Sequence, residues 1–260
     1  MFDLKWSKLK TLGIRIFQAN RLFFQFTNWK YHLSLDYRSN EKAISVFKEV
    51  FYHNSYNRSF PKGIKQGVIV DIGAHFGYFS IFASRNVSNE VIIFAIEPSD
   101  ENFGHLMSNI NASKINNITP LQLGISGTSS TRSFYNSMSW NHSLYADYLP
   151  SMQESHPIQC ITLKDFIDAN HIEIIHFLKI DCEGAEHEIF QNSDVETLQK
   201  IQTISMEIHD MSHCGFDSDQ TIKVLTEAGF KILYSDYQKK KSNHPKGYNA
   251  KMILSRNTLL

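Results

Sequence analysis

The feature that most constrains the fold is a succession of short apolar runs, each followed by a segment with helical periodicity. Val68–Asp71 and Val91–Glu97 are apolar runs that end in an acid, and Tyr78–Arg85 lies between them as a predicted helix. A second helix, Asp100–Ser113, leads to a third run at Ile118–Ser126. Two strand–helix–strand passages in succession require parallel strands joined by right-handed crossovers. The sequence therefore predicts an α/β fold.

The alternation of strands and helices resumes after residues 127–157, a segment rich in Ser, Asn and Tyr. This segment is predicted to be a hairpin plus a long loop, and such loops often act as lids or substrate walls. The later predicted strands are Ile158–Ile161, His176–Asp181 and Thr203–Ile208, and the helices are Leu163–Ala169, Ala185–Asn192 and Asp219–Ala228. Phe230–Ser235 and Ala250–Ser255 are predicted to be a final antiparallel pair of strands.

Residues 1–62 are predicted to form an N-terminal helical segment, and the main domain then covers residues 63–260. Pro61 and Gly63 break the chain between the two. Between Leu4 and Leu35 there are six basic residues and no acidic one, and apolar residues recur at helical spacing. We favour a helix packed on the main domain with a solvated basic face. The alternative is a weak contact between this basic face and an anionic membrane surface.

Composition excludes several classes of protein. Lys plus Arg equals Asp plus Glu at 26 each, so net charge gives no argument for a nucleic-acid partner, and none is predicted. No apolar stretch reaches eighteen residues, so no membrane-spanning helix is expected. The three cysteines, Cys160, Cys182 and Cys214, match no zinc spacing, and their odd number argues against a disulfide framework. A reducing compartment, the cytoplasm, is therefore expected.

The segment V-I-V-D-I-G-A-H-F-G-Y, residues 68–78, has the form of a ligand-binding turn between a strand and a helix. Gly73 and Gly77 flank the turn, where glycine permits positive φ and close approach of a ligand to the backbone. A dinucleotide site prefers the motif G-x-G-x-x-G. Counted from Gly73, the second position of this motif is Ala74, and the third glycine is missing from its position. Asp71 would repel a phosphate and suit a cation, such as the amino group of a methionine moiety. The loop therefore favours an aminoacyl nucleoside over NAD.

A second acid, Glu97, stands where a ribose would need it. It ends the next predicted strand, and Pro98 then stops that strand. A carboxylate at the tip of the second strand can accept hydrogen bonds from both ribose hydroxyls. Asp71 and Glu97 together therefore indicate a nucleoside site that holds the ligand at both ends.

A third segment gives a specific resemblance to a known family. The string L-K-I-D-C-E-G-A-E at residues 178–186, together with D-I-G-A-H-F-G-Y-F-S and E-P-S-D-E-N-F, resembles the FkbM-type methyltransferases. The resemblance runs from about Gly67 to Asp210 in the expected order. It implies a Rossmann-like methyltransferase fold, with a mostly parallel seven-stranded sheet, an antiparallel last strand and helices on both faces. It also implies methyl transfer from S-adenosyl-L-methionine, usually to a hydroxyl oxygen.

The resemblance also assigns residues to the cofactor. It places the cofactor loop at Asp71–Gly77, the ribose-binding acid at Glu97, an adenine contact at Leu123–Ser126, and the motif beside the methyl donor at Asp181. The expected cofactor-binding residues are Asp71, Gly73, Ala74, His75, Gly77, Glu97, Pro98, Gly124, Ile125 and Asp181.

The acceptor hydroxyl needs a base, and four residues at predicted strand ends are candidates. They are Asp181, Glu183, Glu207 and His209, which lie where open α/β sheets bind their ligands. His209 has a suitable unperturbed pKa, whereas a carboxylate would need its pKa raised by burial. The same four residues could hold magnesium or manganese. Because they match no recognised metal spacing, no metal is expected.

Three functions follow from these observations, and the first is favoured. It is O-methylation of a hydroxyl on a saccharide or small metabolite. The second is an NAD-binding Rossmann oxidoreductase, and the third is a non-catalytic membrane- or partner-binding module on a relic methyltransferase fold. No residue identifies the acceptor, the choice between O- and N-methylation, or the oligomeric state.

Overall fold

The computed structural model describes residues 46–52, 56, 60–61, 63–137, 142–145, 152–236 and 250–256. The basic segment Leu4–Leu35 and most of the predicted N-terminal helical region lie outside these residues. Of that region, the structure describes residues 46–52, which include the π-helical turn Lys48–Tyr52, and residues 56 and 60–61. The boundary between residues 62 and 63 therefore stays a prediction.

The described chain contains ten strands and six α-helices. The strands are β1 (Gly67–Ile72), β2 (Val91–Ile96), β3 (Ile118–Leu121), β4 (Gly124–Ser126), β5 (Ser130–Ser137), β6 (Met152–Thr162), β7 (Ile175–Ile180), β8 (Thr203–Ile208), β9 (Lys231–Ser235) and β10 (Ala250–Ser255). The helices are α1 (Tyr78–Asn86), α2 (Asp100–Ser113), α3 (Leu163–Ala169), α4 (Glu186–Gln191), α5 (Val195–Gln199) and α6 (Ser218–Glu227). Most predicted elements agree with these bounds to within one or two residues.

Seven strands form the central sheet, in the order β3-β2-β1-β7-β8-β10-β9. The first five are parallel, and β10 runs antiparallel to both β8 and β9. These parallel strands are almost continuous apolar runs because both faces of the sheet are covered. The mostly parallel seven-stranded sheet with an antiparallel last strand is confirmed.

The core has two parts, one on each face of the sheet. Ile69 of β1 packs with residues of α1 and α2. Its neighbours in sequence, Val70 and Ile72, pack with residues of α3, α4, α5 and α6. Side chains of a strand alternate between faces, so these two clusters lie on opposite sides of β1. The prediction of helices on both faces is confirmed.

The prediction for residues 118–162 was wrong in one respect and right in another. The single strand expected at Ile118–Ser126 is two strands, because β3 pairs with β2 whereas β4 pairs with β6 in a separate sheet of order β4-β6-β5. The hairpin expected within residues 127–157 is present as β5 and β6, which pair antiparallel from Ser130 opposite Cys160 to Ser137 opposite Met152, and β6 begins six residues before the strand expected at Ile158–Ile161. Alternating strands with one exposed face contain many polar residues, and for that reason resemble a loop in composition.

Helix α5 was not predicted at all. It has five residues, and Asp194 begins it by accepting a hydrogen bond from the backbone N–H of Thr197 at 2.7 Å. Such a short helix contains too few turns for its apolar periodicity to be recognised.

Candidate active site

A cavity of about 300 Å³ opens at the carboxyl ends of β1, β2, β7 and β8. This is the edge of an open parallel sheet at which ligands bind. Residues that directly follow these four strands form much of its wall, namely Gly73, Ala74, His75, Glu97, Pro98, Asp181, Cys182, Glu183 and His209. The smaller sheet adds Gly124, Ile125, Phe134 and Ile158.

Gly73 is required by the close approach of two backbone segments. Its φ is +75°, and a Cβ at this position would lie 1.9 Å from the carbonyl oxygen of Asp181. The N–H groups of Gly73 and Ala74 both donate to the carbonyl oxygen of Ile96, at 3.0 and 2.9 Å. The loop after β1 is therefore held against the ends of both neighbouring strands, β2 and β7.

Asp71 lies beneath this loop and not at the cavity surface. Its side chain is fully buried, with one carboxylate oxygen 3.2 Å from Nζ of Lys179. The other oxygen accepts a hydrogen bond from the hydroxyl of Ser80 at 2.7 Å. Lys179 also donates to the carbonyl oxygen of Gly73 at 2.7 Å. Asp71 therefore supports the loop through Lys179, and Lys179 itself reaches the cavity wall.

Glu97 is a buried carboxylate on the donor side of the cavity. It accepts hydrogen bonds from the backbone N–H groups of His75 and Ser99, at 2.8 and 3.0 Å. The side-chain amide of Asn102 lies 3.5 Å away. Burial raises the pKa of Glu97 to about 7, although these hydrogen bonds oppose the shift. The carboxylate is thus fixed in orientation and lines the cavity.

His209 is buried between carboxylates. Nδ1 lies 3.0 Å from Glu186, and Nε2 lies 3.2 Å from Glu183 and 3.8 Å from Asp181. Burial disfavours the charged ring, but the negative charges of Glu186 and Glu183 outweigh it and hold the pKa of His209 well above its usual value. Both ring nitrogens thus face carboxylates, an arrangement that favours the imidazolium form, which has no lone pair with which to accept a proton.

The turn after β7 directs Glu183 and Glu186 towards this imidazolium. Glu183 has a φ of +54°, and Glu186 accepts hydrogen bonds from the N–H groups of Cys182 and Gly184 at 2.8 and 2.9 Å. Burial of Glu186 opposes ionisation, but His209 and the N–H groups outweigh it and lower its pKa to about 2. Glu186 therefore remains a carboxylate and orients His209.

Among the carboxyl groups near His209, Glu207 is the one whose surroundings favour binding of a proton near neutral pH. Burial first, and then the charge of Asp181, raise its pKa to about 7. Its carboxylate lies 3.9 Å from Nζ of Lys251, which in turn forms an ion pair with Glu49. Glu207 and Glu49 therefore reach the cavity from two different parts of the chain.

Most of the residues predicted for the site line this one cavity. The lining includes all four candidate catalytic residues, Asp181, Glu183, Glu207 and His209, and eight of the ten cofactor-binding candidates, namely Gly73, Ala74, His75, Glu97, Pro98, Gly124, Ile125 and Asp181. Asp71 and Gly77 lie behind the wall. Gly77 begins α1 with a φ of +77°, where a Cβ would lie 2.3 Å from the side chain of Leu106. The role of each residue stays a prediction.

Sequence reasoning missed four residues that shape the site. Lys179 lies within the quoted L-K-I-D string, and its position on an otherwise apolar strand was a signal of a buried ion pair. Glu186 is the first residue of α4 and contacts His209. Glu49 and Tyr56 line the cavity from the region before the main domain. They had no local signal, because only the tertiary fold brings them to the sheet edge.

Three of the groups are close enough to share a metal ion. Asp181, Glu186 and His209 place ligand atoms within 4.8 Å of one another. Within the described residues, however, ion pairs and backbone hydrogen bonds already engage Glu186 and His209. The expectation that the site holds no metal stays a prediction.

Within the part of the chain that the structure describes, no helix combines the length and the apolarity needed to cross a bilayer.

Comparison with known proteins finds one similar curated protein and many similar solved structures. The chain is 26% identical over 207 residues to Methyltransferase 1 of Beauveria bassiana (strain ARSEF 2860), which covers 72% of this chain and 80% of that protein. TrmK of M. capricolum, solved with S-adenosyl-homocysteine, is similar at 14% identity and a TM-score of 0.46, with 80% of this chain and 68% of TrmK covered. Precorrin-6y C5,15-methyltransferase of Geobacter metallireducens GS-15 has the same identity and TM-score, with 86% and 97% covered.

The family model of the methyltransferase FkbM domain matches residues 71–232, which is more than half of the chain. The matched region contains the glycine loop, Glu97 and all four of the candidate catalytic residues. The chain belongs to the FkbM methyltransferase family and is an S-adenosylmethionine-dependent methyltransferase.

Proposed function

We propose that this methyltransferase acts on a hydroxyl oxygen of a saccharide or small metabolite, in the cavity at the carboxyl edge of the sheet. The main support for this proposal is that Glu97 and Glu207 line the same cavity. They lie at the ends of β2 and β8, which are three strand positions apart in the sheet. At about 4.8 Å per strand this separation is about 14 Å, enough for a donor and an acceptor group side by side.

The donor half of the cavity fits S-adenosylmethionine in chemistry. Glu97 is held by two backbone N–H groups, and its carboxylate suits the two ribose hydroxyls. Ile125 and Leu123 give an apolar surface for the adenine ring. The backbone of Gly73 is accessible at the wall, where the methionine portion would lie.

The bound donor supplies an activated methyl group on a sulfonium. The protein's residues then have to position the acceptor oxygen in line and receive its proton. We assign the proton to Glu207, because burial and Asp181 bring its pKa to about 7. The acceptor oxygen would take the methyl group from the donor's sulfonium and lose its proton to the Glu207 carboxylate, and the donor would leave as a neutral thioether. His209, as an imidazolium, positions Asp181 and Glu183 and does not act as the base.

Glu207→Gln should separate donor binding from transfer. We expect the variant to bind S-adenosyl-homocysteine within about twofold of the wild type and to transfer methyl groups about 100-fold or more slowly, which is the usual contribution of a general base. The measurement combines titration calorimetry with transfer of tritium from methyl-labelled S-adenosylmethionine to a mixture of saccharides and hydroxylated metabolites. Label in a methyl ether should survive mild alkali, which releases methyl esters.

NADH is the control ligand in the same calorimetry. Binding of NADH without binding of S-adenosyl-homocysteine would contradict the proposed function and favour an oxidoreductase. Label found only on amine nitrogens would contradict O-methylation. Unchanged transfer by Glu207→Gln would remove Glu207 as the base.

Donor binding should also depend on pH through Glu97. Its pKa of about 7 means that the carboxylate is largely ionised at pH 8 and largely protonated at pH 6. Ribose hydroxyls donate to the ionised form, so affinity should rise with pH. We expect the Kd for S-adenosyl-homocysteine to fall by up to about tenfold between pH 6 and pH 8. Glu97→Gln should bind weakly and lose this dependence, and an equally steep profile in the variant would exclude Glu97 as its cause.

A further inference from the structure

We propose that Ser143 is a positioning residue for methyl transfer, because its hydroxyl fixes the turn after β7 that brings Asp181 and Glu183 to the cavity. Oγ of Ser143 donates a hydrogen bond to the carbonyl oxygen of Glu183 at 2.7 Å, across 40 positions of the sequence. Ser143 is fully buried, so water does not compete for this contact. The inference rests on the proposed function, because this turn borders the space proposed for the acceptor.

The turn needs an external constraint because its backbone is strained at Glu183. The φ of Glu183 is +54°, in the left-handed region that residues other than glycine adopt at a cost. Such a conformation persists where the surrounding structure fixes it. Glu186 accepts hydrogen bonds from the N–H groups of Cys182 and Gly184, which flank Glu183. Ser143 holds the carbonyl of Glu183 itself, so contacts from two different parts of the chain fix this turn.

Ser143 is itself held by its backbone and by its side chain. The backbone N–H of Tyr135, on β5, donates to the carbonyl oxygen of Ser143 at 2.8 Å, and the N–H of Ser143 donates to the carbonyl oxygen of Tyr135 at 3.1 Å. Oγ of Ser143 also accepts a hydrogen bond from the backbone N–H of Tyr145 at 3.2 Å. Because these contacts fix Ser143 on β5, its hydroxyl ties the smaller sheet to the turn.

A second contact anchors the smaller sheet close to the same turn. Arg132 of β5 forms an ion pair with Glu188 of α4, with 3.2 Å between the two side chains. Helix α4 begins at Glu186, three residues after Glu183. The smaller sheet therefore holds the turn through Ser143 and the helix that follows it through Arg132, and these two attachments orient the turn.

The hydroxyl of Ser143 joins two walls of the cavity. Its neighbours in sequence, His142 and Leu144, line the cavity from the smaller sheet, and Asp181 and Glu183 line it from the turn. Without the hydroxyl, the carbonyl of Glu183 would lose this partner and the two walls could move apart. Methyl transfer depends on alignment of the acceptor with the donor, so a small displacement of the turn should slow it strongly.

The ring of His209 reports the position of the turn without a known acceptor, because Glu183 lies 3.2 Å from its Nε2. In protein with isotope-labelled histidine, the nuclear magnetic resonance signal of His209 is assigned by its loss in His209→Gln. We expect Ser143→Ala to move this signal by more than its linewidth, and Ser143→Thr, which keeps the hydroxyl, to leave it in place. Ser113→Ala is the matched control and should not move the signal, since Ser113 is also buried and its hydroxyl donates to a carbonyl oxygen at 2.8 Å, on α2.

Methyl transfer is the second measurement. With a component of the saccharide and metabolite mixture that the wild type labels, Ser143→Ala should lower kcat by about tenfold or more and change the KM for S-adenosylmethionine by less than about twofold. A hydroxyl that contributed to stability alone would lower the urea midpoint without separating kcat from KM. Unchanged kcat in Ser143→Ala would overturn the positioning role. If the wild type labels no component, the histidine spectra decide by themselves.

The outcomes distinguish this inference from the proposed function. Failure of S-adenosyl-homocysteine to bind would overturn the function, whereas the spectra would still decide the role of Ser143. An unmoved His209 signal in folded Ser143→Ala overturns that role, as does an equal shift in Ser143→Thr. Should Ser143→Ala not fold, Ser143→Cys replaces it, because a thiol is close to a hydroxyl in size and is a weak donor. A His209 signal at the wild-type position in Ser143→Cys then overturns the inference.

Discussion

Replacing Gly73 with alanine is expected to lower the affinity for S-adenosyl-homocysteine by about 100-fold or more, which is the scale of loss from a 1 Å displacement in an active site. The added Cβ would lie 1.9 Å from the carbonyl oxygen of Asp181, a backbone atom that cannot rotate away. Either the loop or the end of β7 must move, and both line the cavity. Titration calorimetry measures the loss directly.

Gly63→Ala is the matched control for this variant. Gly63 has the same φ of +75°, but a Cβ there would meet no atom within 4 Å. It should cost only the backbone strain, about 1–2 kcal/mol of unfolding free energy, and leave the affinity unchanged. If the two variants bind S-adenosyl-homocysteine equally well, the contact between Gly73 and Asp181 has no part in shaping the site.

Asp71→Asn is expected to reduce the free energy of unfolding by about 3–5 kcal/mol, because it leaves the buried ammonium of Lys179 without its counter-charge. The two side chains are 0% and 7% exposed, so water cannot replace the lost carboxylate. The loop should be weakened as well, since Lys179 also holds the carbonyl of Gly73. Urea unfolding followed by far-UV circular dichroism gives the change in stability.

The double variant Asp71→Asn, Lys179→Met provides the control. It removes the buried cation together with its partner, and it should recover most of the lost stability, because replacing both members of a buried pair is often nearly neutral. Recovery of stability without recovery of S-adenosyl-homocysteine binding would identify Lys179 as part of the loop's support. Equal stability of the single and double variants would contradict the ion-pair argument.

The central sheet could be predicted from sequence because its parallel strands are buried on both faces. Val68–Asp71 and Val91–Glu97 are apolar runs bounded by turns, and this pattern is typical of a strand that helices cover on either side. The smaller sheet could not be predicted in the same way. Residues of β5 alternate between a buried face, as at Phe134, and an exposed polar face, so the average composition of the segment is that of a loop.

The sequence predicted that the site residues lie at the ends of strands. It did not predict which side chains contact them. Parallel strands end at one edge of a sheet, so Glu97, Asp181 and Glu207 could be expected on a common cavity. The pairing of Asp71 with Lys179 depends on register, because the two residues are directly opposite on β1 and β7. Register between strands so distant in sequence is set by tertiary packing. The contact between His209 and Glu186 could not be anticipated for the same reason.

The cavity is lined by residues from inside and from outside the matched family region. The donor half lies within residues 71–232, as do Asp181, Glu183, Glu207 and His209, whereas Glu49 lines the cavity from outside this range and pairs there with Lys251. Substitutions in these flanking segments can alter the shape and charge presented to an acceptor while the adenosyl-binding loop is unchanged. New acceptor preferences can therefore arise on this scaffold by drift or exchange of its flanks, without passing through a form that has lost its cofactor.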